Sequence, residues 1–600
     1  MGRRTLVGPG ALLATAALVV ATATSMTGAT AASGSAAAAH PKALGGFKHI
    51  VVIYEENHSF DNLYGGWGKV GKAHIDGRSK AGKAHTTQLE QNGTPYPCLP
   101  QNDVNLTVGP LAASCGTSTV TFGDGTSTTY ASHFANKPFR IDTYIKPTDT
   151  TCPNRDSLFS FPNGVSKTAK DANGNPVGLP GGCTRDLVHK FYQEIYQLNG
   201  GRQNRYVTGS DAIGLSMGYY ATKQLPIYRY LHGKHAPHYV IADHFFQGAH
   251  GGSYLNHQYL IAAQPPQWVT APVSEHSILD TQGMVRNNYP FYKVKDTVKD
   301  GTVTQSCGLP TTRPGFACGD WSVNTSLPAF QPTASYGPKI PLIDDTTQDL
   351  TIGDRMSDAG VTWAWYSGGW DNAAGITDGP GYTNGPGPTC GDPNSAPAGA
   401  DINGQNAGYP YCPDKTFQQH HQPFAYFARY APGTPGRAAH LKDEADFLAQ
   451  AKAGTLPKVS FVKPLGIENE HPGYASEPNG SDHLVDLIKA IRRGPDGKKT
   501  LIVVTYDEFG GQWDHVSPPG MGTTGAHDLF GPGTRVPALI VSPGLTTSTV
   551  DHSVYDTTSI MRTIEKRFGL APVDHPLGVV PRDRKVAPLT HAIRLGEGKS

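Results

Sequence analysis

Short, uninterrupted runs of apolar and β-branched residues recur along the chain and predict buried strands. LIVVT at residues 501–505 and IVVIY at residues 50–54 are examples. Continuous runs of this kind are typical of parallel strands that are covered on both faces. We predict strands at residues 50–54, 238–242, 361–366, 459–462, 501–505 and 536–541.

Segments with hydrophobic residues at helical spacing alternate with these runs. We predict helices at residues 186–198, 253–263, 350–359, 441–453, 484–493 and 559–568, and shorter helical pieces within 213–231. Strands that alternate with helices predict an α/β fold, in which a mostly parallel central sheet is flanked by helices on both faces.

Long loop-rich stretches interrupt this alternation. They are rich in Gly, Pro and Asn and occupy residues 69–183, 265–345 and 370–416. The chain has 71 Gly and 48 Pro, but 9% of its residues are aromatic, which favours ordered loops over disorder. We predict one domain over residues 47–600 that carries these three stretches as insertions.

The N-terminal segment has the pattern of a signal peptide. Arg3 and Arg4 precede an apolar run at residues 11–23, and small residues follow. The run is too short and too rich in alanine for a membrane span, so we predict no stable membrane insertion. We predict a signal peptide at residues 1–32, a linker at 33–46 and a secreted protein. The arginine pair leaves both twin-arginine and Sec export open.

The cysteines fit an oxidising compartment. The chain has eight, and none of them forms a Cys-x-x-Cys pair, which argues for disulfides and against structural zinc. Proximity along the chain suggests the pairs Cys98–Cys115, Cys152–Cys183, Cys307–Cys318 and Cys390–Cys412, and we expect them to pin the insertions. The net charge of +1 gives no electrostatic case for binding nucleic acid.

Acidic and amide side chains follow two of the predicted strands directly. Glu56 and Asn57 follow residues 50–54, and Asp507 and Glu508 come just after residues 501–505. Adjacent carboxylates stay ionised only beside a cation or several donors, and oxygen ligands suit Mg²⁺, Ca²⁺ or Mn²⁺. The alternatives are an acidic surface turn and a helix cap.

Ser253 opens a predicted helix after a strand and a glycine-rich turn, residues 247–252. A helix N-terminus presents free N–H donors and a partial positive charge, which favours an anionic ligand and an activated hydroxyl. Such a serine beside a cation, with nearby histidines such as His471, is suited to phosphoryl transfer. The alternative is that Ser253 only caps the helix.

Several segments in order resemble a known family. ENHSFD at 56–61, ADHFFQGAHGGSYLNH at 242–257, HHQPFAYF at 420–427, VSFVKPLGIENEHPGYAS at 459–476 and TYDEFGGQWDHVSPP at 505–519 are similar to the bacterial phosphoesterases. That family joins acid phosphatase A-type enzymes and non-specific phospholipases C within the alkaline-phosphatase-like superfamily.

The resemblance implies a role for each site residue. One divalent metal ion would be bound by Glu56, Asn57, Ser253, Asp507 and Glu508. Ser253 would also be the nucleophile, His471 and His189 would take part in catalysis, and the phosphate would be surrounded by Asn256, His189, His420, His421 and His471.

We therefore expect a secreted, metal-dependent phosphomonoesterase that acts on a broad range of small phosphate esters through a phosphoserine. The sequence GGSYLNH around the nucleophile resembles the acid phosphatase branch. The alternative is a phospholipase C that acts on phosphatidylcholine-like head groups, and a less favoured one is a binding protein with a structural cation. Histidines that donate to phosphate must be protonated, so activity should fall as the pH rises through their pKa values.

Overall fold

The computed structural model describes most of the chain outside the N-terminus and parts of the three insertions. The described residues are 44, 46–100, 115–121, 127–132, 134–142, 165–170, 176–178, 186–279, 285, 300–306, 317–333, 337–345, 350–382, 417–466, 468–472, 475, 477–573 and 580–599.

The strands within these ranges are β1 (His49–Glu55), β2 (Lys69–Val70), β3 (Ala73–His74), β4 (Cys115–Thr121), β5 (Ser127–Ser132), β6 (Phe139–Arg140), β7 (Val165–Lys170), β8 (Pro176–Gly178), β9 (Gly218–Tyr219), β10 (Tyr239–Ala242), β11 (Phe245–Phe246), β12 (Trp363–Ser367), β13 (Leu441–Asp443), β14 (Val459–Lys463), β15 (Thr500–Tyr506), β16 (Ala538–Val541), β17 (Thr549–Asp551) and β18 (Tyr555–Asp556).

The α-helices are α1 (Phe60–Leu63), α2 (Lys83–Thr86), α3 (Phe191–Leu198), α4 (Pro226–Leu231), α5 (Ser253–Ala262), α6 (Ile352–Asp358), α7 (Trp370–Ala374), α8 (Pro435–His440), α9 (Glu444–Ala453), α10 (Glu477–Arg493), α11 (Thr558–Phe568) and α12 (Thr590–Gly596). Short 3₁₀ helices lie at Arg78–Lys80, Ile213–Met217, Thr222–Gln224, Val273–Glu275, Gln419–His421, Pro423–Tyr426, Ala428–Tyr430, Gly497–Lys499 and Arg582–Arg584.

An eight-stranded sheet organises the fold, in the order β13-β12-β14-β1-β15-β16-β10-β17. Neighbouring strands within this sheet are parallel except at β16, which runs antiparallel to both β15 and β10. The mostly parallel α/β architecture is therefore confirmed. The predicted strands all occur, with ends shifted by up to two residues, and the smaller strand pairs lie outside this sheet.

The two central strands explain where the site forms. β1 and β15 are parallel neighbours over seven residue pairs, from His49↔Thr500 to Glu55↔Tyr506. Their apolar residues are 2% exposed or less, because the sheet is covered on both faces. Because β1 and β15 end at the same level of the sheet, the residues that follow them lie side by side.

The predicted helix at residues 186–198 is shorter than expected, because α3 begins only at Phe191. The preceding segment is held extended by bonds to distant residues. The Val188 amide donates to Asp211 Oδ1 over 2.9 Å, and the Phe191 amide donates to Asn324 Oδ1 over 3.0 Å. His189 therefore lies on an extended segment and not on a helix.

The predicted helix at residues 441–453 is also divided. Leu441–Asp443 forms the edge strand β13, which pairs with β12. Asp443 then caps α9 with a capping box closed by Asp446, so the helix begins at Glu444. In the other direction, α10 extends to Glu477, seven residues before the predicted start at Leu484.

One disulfide joins Cys98 to Cys115, whose Cα atoms are 5.9 Å apart, which confirms that predicted pair. Each of the other three predicted pairs includes at least one cysteine outside the described ranges. The predicted signal peptide and almost all of the predicted linker also lie outside them. Large parts of the three predicted insertions are likewise outside those ranges. In the part of the chain that the structure describes, no helix is both long and apolar enough to cross a membrane.

Candidate active site

The polar pairs that follow β1 and β15, Glu56-Asn57 and Asp507-Glu508, meet at the end of the sheet. Glu56, Asn57, Asp507 and Glu508 are all 0% exposed. Asp507 Oδ1 accepts hydrogen bonds from the Asn57 amide at 3.1 Å and from the Glu508 amide at 2.8 Å. These backbone bonds orient the Asp507 carboxylate, and its Oδ2 atom lies 3.7 Å from His257 Nδ1.

A tight turn after β15 supports this arrangement. Asn57 and Gly510 both have positive φ angles, of 60° and 61°. A Cβ atom on Gly510 would lie 2.1 Å from the Asn57 carbonyl oxygen. The Gly510 amide donates to Glu508 Oε2 over 2.6 Å, so the same glycine fixes the second carboxylate. Only glycine fits this position, where the two loops touch.

Ser253 is the first residue of α5 and reaches the same acidic group. Its Oγ atom donates to Glu56 Oε2 over 3.1 Å and lies 3.4 Å from Asn57 Oδ1. The N-cap residue, Gly252, has no side chain that would satisfy the first N–H groups of the helix. The serine thus sits at a helix N-terminus that still offers donors to an anion.

Buried polar groups beneath the glycine turn hold it in place. The Gly251 amide, at a φ of 92°, donates to Glu194 Oε2 over 2.5 Å. Gln247 donates to the same oxygen over 2.9 Å and accepts from the Phe509 amide over 2.9 Å. Burial raises the pKa of Glu194 to about 7. Glu194 and Gln247 therefore connect the turn before Ser253 to the turn after β15.

The Asn256 amide is used within the same turn. Its Oδ1 atom accepts from the Ala249 amide at 2.8 Å, and its Nδ2 atom donates to the carbonyls of Gly251 at 3.0 Å and Gly252 at 3.2 Å. These bonds give Asn256 a role in shaping the turn. Its predicted contact with phosphate stays a prediction.

The donor set fits a divalent cation. Asp507 Oδ2 and Glu508 Oε1 are buried and have no hydrogen-bond partner among the described residues. Burial raises the pKa of Asp507. Burial together with the Asp507 charge raises the pKa of Glu56 to about 8 and raises that of Glu508 well above its usual value. Three buried carboxylates so close together need positive charge between them, and their oxygens are hard ligands.

The other oxygen of Glu56 faces a different environment. Lys463, fully buried at the end of β14, makes a short ion pair with Glu56 Oε1 and donates to the Tyr54 carbonyl over 2.9 Å. His421 Nε2 lies 3.2 Å and His257 Nε2 3.9 Å from this oxygen. These histidines and Glu56 are close enough to ligate an ion. The ammonium on the same oxygen would repel that ion, so we place the cation on the Asp507 side.

Two of the predicted histidines lie on the nucleophile side of Glu56. The Nε2 atom of His471 is 3.0 Å from the Asn57 side-chain nitrogen and 4.0 Å from Glu56 Oε2, while its Nδ1 atom donates to the Pro472 carbonyl over 2.7 Å. The His189 ring lies 6.4 Å from the His471 ring, and its Nε2 atom is 3.7 Å from Glu508 Oε1. His189 can approach Glu508 in this way because it lies on the extended segment before α3.

The adjacent pair His420 and His421 completes the group, with ring centroids 4.5 Å apart. His421 also stacks on His257, at 4.9 Å and 3° between the rings. Burial, followed by the charge of a neighbouring histidine, lowers the pKa of His420 to about 3 and that of His471 well below its usual value. All four predicted histidines therefore converge, and they are neutral in the phosphate-free site.

The sequence patterns missed two residues in direct contact with the predicted set. The strand pattern predicts Lys463 only as the residue that ends β14, although a lysine at the end of a buried strand needs a partner. His257 lies one helical turn after Ser253, and its Nδ1 atom donates to the Ser253 carbonyl over 2.8 Å. The i, i+4 spacing from the serine was the available signal for it.

A cavity of about 190 Å³ opens beside the nucleophile. Its lining includes His189 and Gly252 together with the apolar side chains of Leu187, Tyr254 and Val323. His189 therefore belongs both to the histidine group and to the wall of this cavity, which has room for part of a substrate.

Asp514 and His515, which follow the second acidic pair in the sequence, form a separate buried network. Arg535 donates to Asp514 Oδ1 over 3.1 Å and to Asp61 Oδ1 over 3.3 Å. Burial alone would lower the pKa of His515, but the Asp61 carboxylate, 2.5 Å away, raises it to about 9. These charges are paired with one another, so the network anchors the loops behind the site.

Comparisons with known proteins give one family match and several partial alignments. Residues 47–571 match the model of the Phosphoesterase family. Phospholipase C A of Mycobacterium tuberculosis is 32% identical over 199 residues, which cover 30% of this chain and 36% of that protein. Non-specific phospholipase C6 of Arabidopsis thaliana is 32% identical over 150 residues, which cover 21% of this chain and 29% of that protein. Non-hemolytic phospholipase C of Burkholderia pseudomallei is 32% identical over 176 residues, which cover 24% of this chain and 25% of that protein.

The aligned segments thus span between a quarter and just over a third of the length of these relatives. Among solved structures, a protein in the alkaline phosphatase superfamily from Vibrio parahaemolyticus is 12% identical, covers 37% of this chain and 48% of that one, and overlaps with a TM-score of 0.19. An overlap this weak carries no conclusion about this chain.

Proposed function

The chain belongs to the phosphoesterase family, and on that premise we propose that it is a metal-dependent hydrolase of phosphate esters that acts through a phosphoserine at Ser253. The observation that carries the proposal is the position of Ser253 Oγ. It lies at the start of α5, 3.1 Å from Glu56 Oε2, within a group of buried carboxylates. A hydroxyl so placed is suited to attack phosphorus and not merely to cap a helix.

Five residues would hold the cation: Glu56, Asn57, Ser253, Asp507 and Glu508. A divalent ion, when bound, favours loss of a hydroxyl proton and offsets the charge of phosphate oxygens. The oxygen-rich donor set favours Mg²⁺, Ca²⁺ or Mn²⁺.

In the first half-reaction, Ser253 Oγ forms a bond to phosphorus as the bond from phosphorus to the leaving oxygen breaks. The serine proton has an acceptor in place, because Oγ already donates to Glu56 Oε2. His189 lines the cavity beside the nucleophile. Its imidazole is neutral in the free site, so we propose that it takes up a proton from solvent when the phosphate ester binds and gives this proton to the leaving alkoxide. His420, His421 and His471 would hold the non-bridging oxygens.

In the second half-reaction, water attacks the phosphoserine. The neutral His189 takes a proton from this water as the new oxygen–phosphorus bond forms. Ser253 Oγ leaves and regains its proton from Glu56. Inorganic phosphate or a phosphate monoester is then released and His189 returns its proton to solvent, so each residue is again in its starting state.

For the substrate we propose small phosphate monoesters, and we propose export to the cell exterior. The sequence around Ser253 supports the monoester, because it resembles the acid phosphatase branch. A second candidate, hydrolysis of a phospholipid head-group diester, is supported by the relatives that are named phospholipase C. The cavity with its apolar walls would suit either an alcohol or a lipid glycerol moiety.

The test compares p-nitrophenyl phosphate with p-nitrophenylphosphorylcholine, using wild type and Ser253→Ala. We expect Ser253→Ala to lose about 10⁴-fold or more in kcat/KM on both compounds while it keeps its metal and its fold. Ser79→Ala, an exposed serine in a 3₁₀ helix, is the matched control. Dominant turnover of the diester would favour the second candidate, and an active Ser253→Ala would refute the serine mechanism.

A further inference from the structure

A second group of ligand-type side chains lies outside the site described above. It combines Glu444 at the start of α9, Glu468 in the loop after β14 and His483 in α10. His483 Nε2 is 2.8 Å from Glu444 Oε1 and 3.9 Å from Glu468 Oε2. One ligand atom from each residue lies within 4.8 Å of the others. Three separate elements therefore converge on one point.

Buried oxygens without partners point toward a ligand at this place. Glu444 is 6% exposed, and its Oε2 atom has no hydrogen-bond partner among the described residues. Glu55, the last residue of β1, is 0% exposed, and within the same described part of the chain neither of its carboxylate oxygens has such a partner. Glu55 also interacts electrostatically with both Glu444 and His483.

One buried carboxylate oxygen of the group is left without a partner. Glu444 Oε1 lies 2.8 Å from His483 Nε2, so the imidazole serves that oxygen, whereas Glu444 Oε2 has no hydrogen-bond partner among the described residues. Unpaired buried carboxylate oxygens are costly, and a bound divalent cation would satisfy them.

We propose that Glu444, Glu468 and His483 form a second divalent-metal site. An imidazole with two carboxylates is a ligand set for zinc-type ions, and it differs from the all-oxygen set around Asp507. Glu55, the last residue of β1, interacts with Glu444 and His483, whereas Glu56, which follows the strand, belongs to the first site.

This site would brace the loop that carries His471. Glu468 directly precedes Asn469, whose carbonyl accepts the Glu56 amide at 3.0 Å and whose Oδ1 atom accepts the His471 amide at 3.0 Å. An ion that fixes Glu468 against α9 and α10 would thus limit the motion of a segment bonded to both Glu56 and His471. It would act as a structural ion, without contact to substrate.

The experiment uses the full chain with the double substitution Asp507→Asn and Glu508→Gln, which disables the first site and separates this proposal from the proposed function. After treatment with a chelator, Zn²⁺ is titrated and followed by calorimetry. We expect one tight Zn²⁺ per chain, and at least about 10-fold weaker binding when His483→Gln is added. Binding should also slow amide hydrogen exchange at residues 464–472.

Two further variants complete the test. Glu468→Gln changes a side chain that is 38% exposed, so it should fold normally and weaken Zn²⁺ in the same way as His483→Gln. His527→Gln, an exposed histidine, should leave the affinity unchanged. The proposal is overturned if the double variant binds no Zn²⁺, or if neither His483→Gln nor Glu468→Gln weakens its binding.

Discussion

The two oxygens of Glu56 have different partners, and this division organises the site at the scale of single residues. Oε2 accepts from Ser253, while Oε1 pairs with Lys463. Burial raises the pKa of Glu56, and the ammonium group of Lys463 opposes this effect. Because Lys463 pairs with Oε1, the other oxygen, Oε2, stays directed at Ser253. Lys463 is a positioning residue, since it acts on the serine through Glu56.

We expect Lys463→Met to lower the free energy of unfolding by about 3–5 kcal/mol in chelator, because it leaves a buried charge unpaired. Added divalent metal should restore part of that loss, since the cation gives Glu56 a new partner. Urea unfolding with and without metal measures both effects. Lys458→Met, an exposed lysine five residues upstream, is the control and should change little. A Lys463→Met protein as stable as wild type in chelator would show that the ion pair is unimportant.

The lowered histidine pKa values bear on the predicted pH dependence. Histidines that donate to phosphate must be protonated, but burial keeps His420, His421 and His471 neutral in the free protein. His471 already uses its Nδ1 proton on a backbone carbonyl, so its Nε2 atom can donate to phosphate only after gaining a proton. The histidines must therefore take up the protons that they donate when the phosphate anion binds.

Phosphate binding should take up protons at mildly alkaline pH, where these histidines are neutral and phosphate is a dianion. Because each histidine pKa is depressed in the free site and rises beside the anion, phosphate affinity should fall as the pH increases. Calorimetry in two buffers of different ionisation enthalpy measures the uptake. His420→Gln should reduce it, whereas His527→Gln should not. Equal heats in both buffers would contradict this prediction.

At the scale of elements, the site depends on two adjacent parallel strands that end level with each other. β1 and β15 place Glu56 beside Asp507, and β14 on the other side of β1 delivers Lys463 to the same carboxylate. The turn after β15 then passes within contact of the Asn57 carbonyl at Gly510. A small displacement of this turn would separate the acidic pairs.

Gly510→Ala tests that contact. We expect a loss of about 1–3 kcal/mol in the free energy of unfolding and about 10²-fold in kcat/KM, because the methyl group must displace Asn57. Gly360→Ala is matched in backbone conformation, with a φ of 63° against 61° for Gly510, but has no atom within 4 Å of the added carbon. If both variants lose the same activity, backbone strain alone and not the contact explains the effect.

At the scale of the whole molecule, the proposed metal site would couple folding to a cation. Glu56, Asp507 and Glu508 come from distant parts of the chain, so a cation bound there would join segments about 450 residues apart, as the 450-residue separation of Asn57 and Asp507 indicates. An ion that binds only the folded chain stabilises it in proportion to the logarithm of its concentration.

We expect chelation to lower the melting temperature, and metal at about 100 times its Kd to add about 2.7 kcal/mol. The metal to use is whichever of Mg²⁺, Ca²⁺ and Mn²⁺ binds most tightly. The variant Asp507→Asn with Glu508→Gln should be more stable than wild type in chelator, since two repelling charges are gone, and should gain little from metal. Calorimetric scans measure both. A wild type that melts at the same temperature with and without metal would contradict the prediction.

The strands, most helices and the metal-type residues could be predicted from the sequence because their signals are local. A continuous apolar run ending in Glu56-Asn57 or Asp507-Glu508 needs only neighbouring residues to be recognised, and the glycine turn before Ser253 is equally local. The family resemblance added His189, His420 and His421, which periodicity did not reveal.

Other features were decided by contacts between distant segments. The start of α3 was wrong because Asp211 and Asn324 hold the preceding residues extended, and that displacement is what brings His189 to the site. Lys463 gained its partner through the order of strands, and the histidines became neutral through burial. Local chemistry thus determined which groups the chain carries, whereas only the tertiary structure decided which of them touch and in what charge state.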